Sequence, residues 1–229
     1  MIKKIIKWFC IFCIGFVCVV FGRGYLHYEE LIREESVEDR VSEIQNTNNF
    51  VPFEYLPKTL VDATVSIEDH RFFEHNGIDY IGLGRAFASW FVPGMVESGG
   101  STITQQVAKN MYTMFDSSLD RKVVEFFVAN ALERNYSKEE IFATYVNIIN
   151  YGDSHIGISE AASGYFQKSV LELSDDECTL LAGIPQSPVN YQLSTHYSEA
   201  KQRQSLVLQS MVENKYLTEE EANQILKND

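Results

Sequence analysis

A single carboxylate stands among apolar residues at helical spacing. Val61, Val65, Glu68 and Phe72 are spaced i, i+4, i+7 and i+11, so on a helix they share one face. A carboxylate on an apolar face is costly unless it is paired or functional. Partial burial would raise its pKa toward the range that suits a general base. The pattern therefore indicates either a general base or a Glu68 that simply pairs with a buried arginine.

A second acidic candidate, Glu125, follows Arg121 by four residues in a segment, 119–133, that is predicted to be helical. This spacing is typical of an exposed ion pair on a helix surface. Ala129 and Leu132 continue the face of Glu125, however, which favours a face turned toward the core. A surface ion pair and an inward-facing functional carboxylate both remain open.

A third candidate is a glycine pair, Gly99-Gly100, that leads into a helix start rich in Ser and Thr. The polar residues of this segment are Ser101, Thr102, Gln105, Gln106, Lys109 and Asn110. A helix start presents free backbone N–H groups and a positive dipole end, which suits phosphate or sugar oxygens. The alternative is a flexible loop followed by an ordinary capped helix.

These segments resemble, in order, the five motifs of the peptidoglycan glycosyltransferases of glycosyltransferase family 51. The matching residues are Glu68–Asp79 for the first motif; Gly100–Asn110 for the second; Arg121, Lys122 and Glu125 for the third; Lys138, Ile141, Tyr145 and Asn147 for the fourth; and Ala161, Ala162, Tyr165, Phe166 and Lys168 for the fifth. All five occur between about Phe50 and Tyr191, so the combined signal is very specific. It favours the functional interpretation of each candidate.

The resemblance implies a mainly α-helical, lysozyme-like fold with two lobes around a cleft. It also implies an inverting reaction in which the 4-hydroxyl of lipid II attacks the lipid-linked end of a growing glycan chain. A β-1,4 bond forms and undecaprenyl pyrophosphate leaves. The implied partners are lipid II, the growing lipid-linked chain, the bacterial plasma membrane and other cell-wall synthesis proteins. No cofactor is required, and a divalent cation (Mg or Mn) is left open.

The resemblance also implies a role for each site residue. Glu68 is the base, Lys109, Arg121 and Lys122 stabilise the leaving pyrophosphate, and Glu125 positions Arg121 or the donor, or helps to hold a divalent cation. The residues expected to contact sugars or phosphates are Ser101, Thr102, Gln105, Gln106 and Asn110. The residues expected to give structural support are Asp69, Phe72, His75, Gly77, Tyr145 and Asn147. Ser117 stands where many members carry an Arg, which removes one cation from the set.

Helices must position these residues. Pro57 suits a helix start, and the helix is predicted to run to about Phe72. Capping boxes at Ser137–Glu140, Ser174–Glu177 and Thr218–Glu221 each precede an apolar-periodic run. Alternation with a period of two residues is scarce, which predicts little sheet.

The chain is predicted to have a membrane anchor at residues 1–24, an acidic stalk at 25–49 and a glycosyltransferase domain at 50–229. Lys3, Lys4 and Lys7 precede an apolar span, and this pattern favours a single retained membrane helix with a cytoplasmic N-terminus over a cleaved signal peptide. The segment 93–100 is predicted to be a mobile loop, and the apolar residues at 91, 92, 95 and 96 either dip into the membrane or pack on the core. A net charge of −13 argues against a nucleic-acid partner.

Two other functions compete with the leading hypothesis. A lytic enzyme would need only one acid and no pyrophosphate site, so the Gln-Gln and Arg-Lys pairs argue against it. A degenerate scaffold that binds lipid II without turnover is kept open by Ser117, although Glu68 and Glu125 are both present. The motifs end near the end of the sequence, which favours a monofunctional transglycosylase over a bifunctional penicillin-binding protein.

Overall fold

The computed structural model of the chain is helical and describes residues 2–89 and 100–227, with the side chains of 85–89 left out. Its α-helices are α1 (Ile2–Glu34), α2 (Val37–Gln45), α3 (Lys58–Glu68), α4 (Tyr80–Ser89), α5 (Ile103–Met111), α6 (Leu119–Asn135), α7 (Lys138–Ile148), α8 (Ile158–Phe166), α9 (Asp175–Gly183), α10 (Pro188–Tyr191), α11 (Tyr197–Glu213) and α12 (Glu219–Ile225). Short 3-10 turns occupy Phe53–Tyr55, Val170–Glu172 and Ile184–Gln186. Within the described ranges the extended structure amounts to one isolated bridge, between Asn150 and Ile156. The prediction of a mainly helical fold is confirmed. The predicted loop and membrane-contacting residues at 91–99 lie outside the described ranges.

Side-chain caps fix where the helices begin. All three predicted capping boxes are present, at the starts of α7, α9 and α12. A fourth joins Thr102 and Gln105 at the start of α5. Each box satisfies backbone N–H groups that a helix end would otherwise leave without partners. The helix starts near the site are therefore encoded within four residues of sequence.

The core consists of two clusters that share α3. The larger cluster joins α2, α3 and α5–α9, and among its fully buried side chains are Leu60, Phe72, Phe142 and Tyr145. The smaller cluster packs Ala63 of α3 against Val207 and neighbouring side chains of α9, α11 and α12. Because α3 lies between the clusters, its C-terminal end is held from both sides.

The N-terminal helix α1 is longer than a membrane requires. Its 33 residues span about 50 Å, against about 30 Å for the hydrocarbon core of a bilayer. It is the one helix in the described part of the chain that is long and apolar enough to cross a membrane. Its C-terminal half packs along α6, where Gly24 is buried against Val123 and Arg23 pairs with Asp120 at 2.9 Å.

The acidic segment 25–49 is helical and partly packed. It contains the end of α1 and all of α2, and Val37 and Val41 of α2 are buried in the larger core cluster. The segment is therefore more than a solvated stalk, because two apolar side chains four residues apart give α2 a face to bury. The domain boundaries at 24 and 49 stay predictions.

The prediction that the helix around Glu68 runs to about Phe72 is wrong. Helix α3 ends at Glu68, and Asp69 has a non-helical backbone (φ −159°, ψ 73°). The physical reason is tertiary, because the Asp69 carboxylate binds groups outside its own helix. Phe72 is still fully buried, but it reaches the core from a turn.

Candidate active site

The acid that the sequence singled out sits at the last position of α3 and is partly buried. The Gln106 side-chain amide donates a hydrogen bond of 2.7 Å to Oε2 of Glu68. Among the described residues Glu68 forms no ion pair, so it is not the carboxylate paired with a buried arginine that the alternative required. Burial raises the pKa of Glu68, while the Gln106 hydrogen bond and the positive charge of Arg203 lower it in part.

The turn after Glu68 is fastened by Asp69. Nε2 of His75 lies 2.9 Å from both carboxylate oxygens of Asp69, and the backbone N–H of Ile103 donates to the same carboxylate at 3.0 Å. Both side chains are buried. Asp69 thus joins the turn to the start of α5, and these contacts fit the structural support predicted for Asp69 and His75.

The start of α5 is anchored in the same way. The Thr102 hydroxyl donates to the backbone oxygen of Gly77 at 2.6 Å, and the Gln105 side-chain oxygen accepts the Thr102 N–H at 3.0 Å. Gly77 has φ of +78°, and an added Cβ would meet Glu133 Cγ at 3.2 Å, so glycine suits this close turn. Thr102 and the Gln105 side-chain oxygen, which were predicted to contact substrate, hold the helix start.

A chain of charged contacts continues from Ser101 to α6. The Lys122 ammonium donates to the Ser101 hydroxyl at 3.0 Å and to Oε2 of Glu125 at 2.7 Å, and Arg121 donates to Oε1 of Glu125. Glu125 is 1% exposed. The inward-facing alternative for Glu125 therefore holds, and a buried carboxylate fixes two cations in place.

Lys109 and Asn110 extend the polar surface of α5. Lys109 is three residues past Gln106, so the two side chains lie on neighbouring parts of one helix face. Its ammonium forms no ion pair among the described residues and lies 5.5 Å from the centre of the Phe115 ring. The Asn110 side chain donates to the Gln106 backbone oxygen at 2.8 Å, and Ser117 is exposed just before α6.

A cleft brings the acid and the charged chain together. It has a cavity volume of about 40 Å³ and is lined by Glu68, Asp69 and Ser101, among others. Lys122 contacts Ser101, so the cleft leads from Glu68 toward the cations of α6. Lys109, Arg121 and Lys122 do not line the cleft themselves, so a cavity shared by Glu68 and these cations stays a prediction.

The remaining support residues lie behind the cleft. Phe72 packs against Phe142, and the Lys138 ammonium lies 4.5 Å from the centre of the Phe72 ring. The Asn147 side chain makes two hydrogen bonds of 2.9 Å with the backbone of Val51, which ties α7 to the segment before α3.

Tyr145 is fully buried, and its hydroxyl has no hydrogen-bond partner among the described residues. Burial raises its pKa well above the usual range, as does the neighbouring charge of Glu68. The charge of Glu68 therefore reaches the buried Tyr145 hydroxyl.

The oxygen atoms around Glu125 are a poor donor set for a divalent cation. Mg²⁺ prefers several oxygen ligands in near-octahedral geometry, whereas each Glu125 oxygen already accepts a bond from Arg121 or Lys122. No group of three or more His, Cys, Asp or Glu side chains in the described ranges is placed to hold a metal. The residues around Glu125 do not fit a divalent-cation site.

The sequence analysis did not identify Arg203 of α11, whose positive charge acts on Glu68. A signal was available. Ala200, Val207 and Met211 are buried on α11, and Arg203 falls four residues before Val207 on the same side. A charged residue beside an apolar helix face is the feature that identified Glu68.

The fold and the site together define a mainly helical domain of the lysozyme-like kind, in which Glu68 lines a cleft and a cation cluster is joined to the cleft through Ser101. The family model described as "Transglycosylase" matches residues 35–212, so the chain belongs to the transglycosylase family.

Two penicillin-binding proteins illustrate the sequence similarity. Penicillin-binding protein 1A of Aquifex aeolicus (strain VF5) is 40% identical over 172 residues, which cover 75% of this chain and 24% of that protein. Penicillin-binding protein 2D of Bacillus subtilis (strain 168) is 40% identical over 179 residues, which cover 78% and 26%. The chain thus spans about a quarter of the length of these relatives. A crystal structure of penicillin-binding protein 1A from Haemophilus influenzae aligns with a TM-score of 0.44 at 20% identity, over 79% of this chain and 17% of that one.

Proposed function

We propose that this chain is a membrane-anchored peptidoglycan glycosyltransferase that polymerises lipid II and releases undecaprenyl pyrophosphate. The observation that carries the proposal is the cleft in which a partly buried Glu68, bonded to Gln106, shares space with Ser101 of the cation-bearing chain. The acid that lines this cleft and the cations joined to it through Ser101 suit the two needs of such a reaction: removal of a proton and stabilisation of a leaving anion.

Glu68 is the proposed general base. Gln106 occupies Oε2, and Oε1 has no hydrogen-bond partner in the described part of the chain, so it is free to accept a proton from the 4-hydroxyl of the acceptor sugar. The acceptor oxygen then attacks the anomeric carbon of the donor MurNAc from the face opposite the pyrophosphate. The C–O bond to pyrophosphate breaks as the β-1,4 bond forms, so the configuration inverts.

Arg121, Lys122 and Lys109 are the proposed stabilisers of the pyrophosphate. Glu125 cancels one of the two charges on α6, so its main effect is to hold both cations in a fixed geometry before substrate arrives. Donors fixed in advance stabilise developing charge without the cost of reorganising them. Glu125 is therefore assigned a positioning role, and no step is assigned to a metal ion.

The proposed location is the outer face of the plasma membrane. Helix α1 begins with a lysine cluster, which favours a cytoplasmic N-terminus and a single crossing. Both proposed substrates carry polyprenyl chains, so an enzyme held at the same surface meets them at a raised local concentration. The monofunctional form stays a prediction.

The test uses the full chain in detergent with labelled lipid II. The unmodified protein should yield long glycan and free undecaprenyl pyrophosphate, and Glu68→Gln should lower the rate at least about a hundredfold, in line with the usual contribution of a general base. Glu74→Gln is the matched control, since Glu74 lies in the same turn but is mostly exposed. It should retain the rate of the unmodified protein.

Each contrary result has a distinct meaning. Turnover by Glu68→Gln at the unmodified rate would refute the assignment of the base. Cleavage of preformed glycan without synthesis would favour the lytic alternative. Tight binding of lipid II with no product from the unmodified protein would favour the scaffold.

A further inference from the structure

A second open groove lies between α10 and α11, outside the cleft described above. It has a volume of about 440 Å³, and its lining includes Asn190, Tyr191, His196, Glu199, Gln202 and Arg203. The lining combines a phenol ring, an imidazole, two amides, one guanidinium and one carboxylate, and the residue that carries the carboxylate, Glu199, is exposed to solvent. Such a surface suits a polar ligand that carries a negative charge.

Arg203 is distinctive among the arginines whose side chains are described. Arg23, Arg40, Arg71 and Arg121 each pair with an acid, and Arg33 and Arg134 are exposed to solvent. Arg203 is partly buried, yet it forms no ion pair or hydrogen bond within the described ranges, and its Nε is buried without a partner. A partly buried cation that lacks a partner is costly unless a ligand supplies the opposite charge.

Packing holds the stem of Arg203 in place. A Cβ added to Gly183 would come within 2.9 Å of Arg203 Cγ, so α9 and this side chain are in close contact. Helix α11 is also bonded to α3, because the Ser66 hydroxyl lies 3.0 Å from the Ser210 hydroxyl and the Asn214 amide donates to Ser66 at 2.9 Å. Arg203 is thus fixed relative to the helix that ends at Glu68.

The charge of Arg203 reaches the proposed base. It lowers the pKa of Glu68 against the larger, raising effect of burial. The other titratable groups near Glu68 are Asp69, His70, Asp79, Tyr145 and Tyr151. Those in the groove, besides Arg203, are Tyr191, His196 and Glu199. Arg203 is therefore common to the groove and to the electrostatic surroundings of the base.

We propose that Arg203 binds an oxyanion of the acceptor lipid II in the groove between α10 and α11, and so places the acceptor hydroxyl at Glu68. This assignment rests on the proposed function. The cations Lys109, Arg121 and Lys122 belong to α5 and α6 and serve the leaving group, whereas Arg203 comes from α11 and serves the incoming molecule. The acceptor offers two oxyanions of suitable chemistry: its pyrophosphate and the carboxylates of its stem peptide.

The test measures glycan synthesis by the full chain against lipid II concentration and pH. Arg203→Gln should raise the KM for lipid II about tenfold or more, the range expected for loss of a charge-assisted hydrogen bond. It should also move the acidic limb of kcat/KM to higher pH, because Glu68 loses a charge that favours its ionised form. Arg203→Lys keeps the charge and should restore the pH limb while recovering KM only in part. Arg134→Gln, which removes an exposed and unpaired arginine, should match the unmodified protein.

A second substrate separates the two sources of the oxyanion. With lipid II whose stem-peptide carboxylates are amidated, a stem-peptide contact predicts that Arg203→Gln and the unmodified protein converge. A pyrophosphate contact predicts that their tenfold difference persists. An unchanged KM and pH limb in Arg203→Gln with both substrates would overturn the proposal.

Two controls keep these outcomes separate from other failures. If Arg203→Gln unfolds, as a loss of circular dichroism would show, Arg203→Lys alone carries the test. Its KM for lipid II should then exceed that of the unmodified protein while its pH limb stays unchanged, and an unchanged KM would overturn the proposal. If the unmodified protein makes no glycan, the proposed function has failed. Binding of labelled lipid II by Glu68→Gln and by its Arg203→Gln double variant then tests the groove directly, and equal affinities would refute it.

Discussion

The ion-pair cluster on α6 should stabilise the fold by an amount that depends on how far each of its side chains is exposed to solvent. Glu125 is 1% exposed on its side chain, Arg121 is 14% exposed and Lys122 is 45% exposed. Glu125→Gln keeps the size of the side chain but removes its charge and turns an N–H donor toward one of the cations. The Arg121 contact, which is mostly buried, is worth about 1.5–3 kcal/mol. The Lys122 contact is screened by solvent and is worth about 0.2–1 kcal/mol.

The summed loss is therefore about 2–4 kcal/mol in the free energy of unfolding. For a domain of this size that corresponds to a fall in Tm of about 4–16 °C. Denaturant unfolding in detergent, followed by circular dichroism, measures the loss. Glu139→Gln is the control, because Glu139 is an exposed acid in the first turn of α7.

A double-mutant cycle assigns the loss to each partner. The coupling energy between Glu125 and Arg121 should exceed that between Glu125 and Lys122, because the second pair is the more exposed. Glycan synthesis should also fall about tenfold or more, since the two cations lose their fixed geometry. An unfolding free energy for Glu125→Gln within about 0.5 kcal/mol of the unmodified value would refute this account of the cluster.

Three further predictions concern other parts of the molecule. Gln106→Leu removes the hydrogen bond that favours ionised Glu68, so the pKa of Glu68 should rise and the acidic limb of kcat/KM should move to higher pH; an unmoved limb would exclude this role. Gly24→Leu should destabilise the docking of α1 on α6 by about 1–3 kcal/mol, because its Cβ would lie 2.4 Å from Val123 Cβ, whereas Gly22→Leu has open space and should be neutral in proteolysis and unfolding assays. Chelation of divalent cations should change the rate of glycan synthesis less than about twofold, since both Glu125 oxygens already pair with the side chains of Arg121 and Lys122. A tenfold loss of rate that Mg²⁺ restores would contradict this prediction.

The docking of α1 gives the membrane helix a part in placing the cleft. It packs on α6 through Gly24, the Arg23–Asp120 ion pair and aromatic contacts such as Tyr25 with Phe127, whose ring centres are 5.1 Å apart. Helix α6 also carries the cations of the site. One helix continues from the apolar span to this contact, so in the proposed membrane-anchored arrangement the height of the cations above the membrane follows from the helix rise.

The sequence by itself determined the helical class, the positions of the caps and the place of Glu68 on an apolar helix face. These features depend on residues three to eleven positions apart, as in the Ser137–Glu140 box or the face shared by Val61, Val65 and Glu68. Helix geometry fixes which of those residues are neighbours, so spacing alone is enough to predict them. The family motifs added the order of the site segments along the chain.

Only the tertiary structure decided what each acid touches. Glu68 meets Gln106 across 38 residues, Ser101 meets Lys122 across 21, and Ser66 meets Ser210 across 144. Such contacts depend on how helices pack, and so does the end of α3, where Asp69 leaves the helix to bind the start of α5. Helical periodicity predicts which face of a helix a residue occupies but not which other helix covers that face. For that reason only the packing of α11 against α3 shows that the charge of Arg203 acts on Glu68.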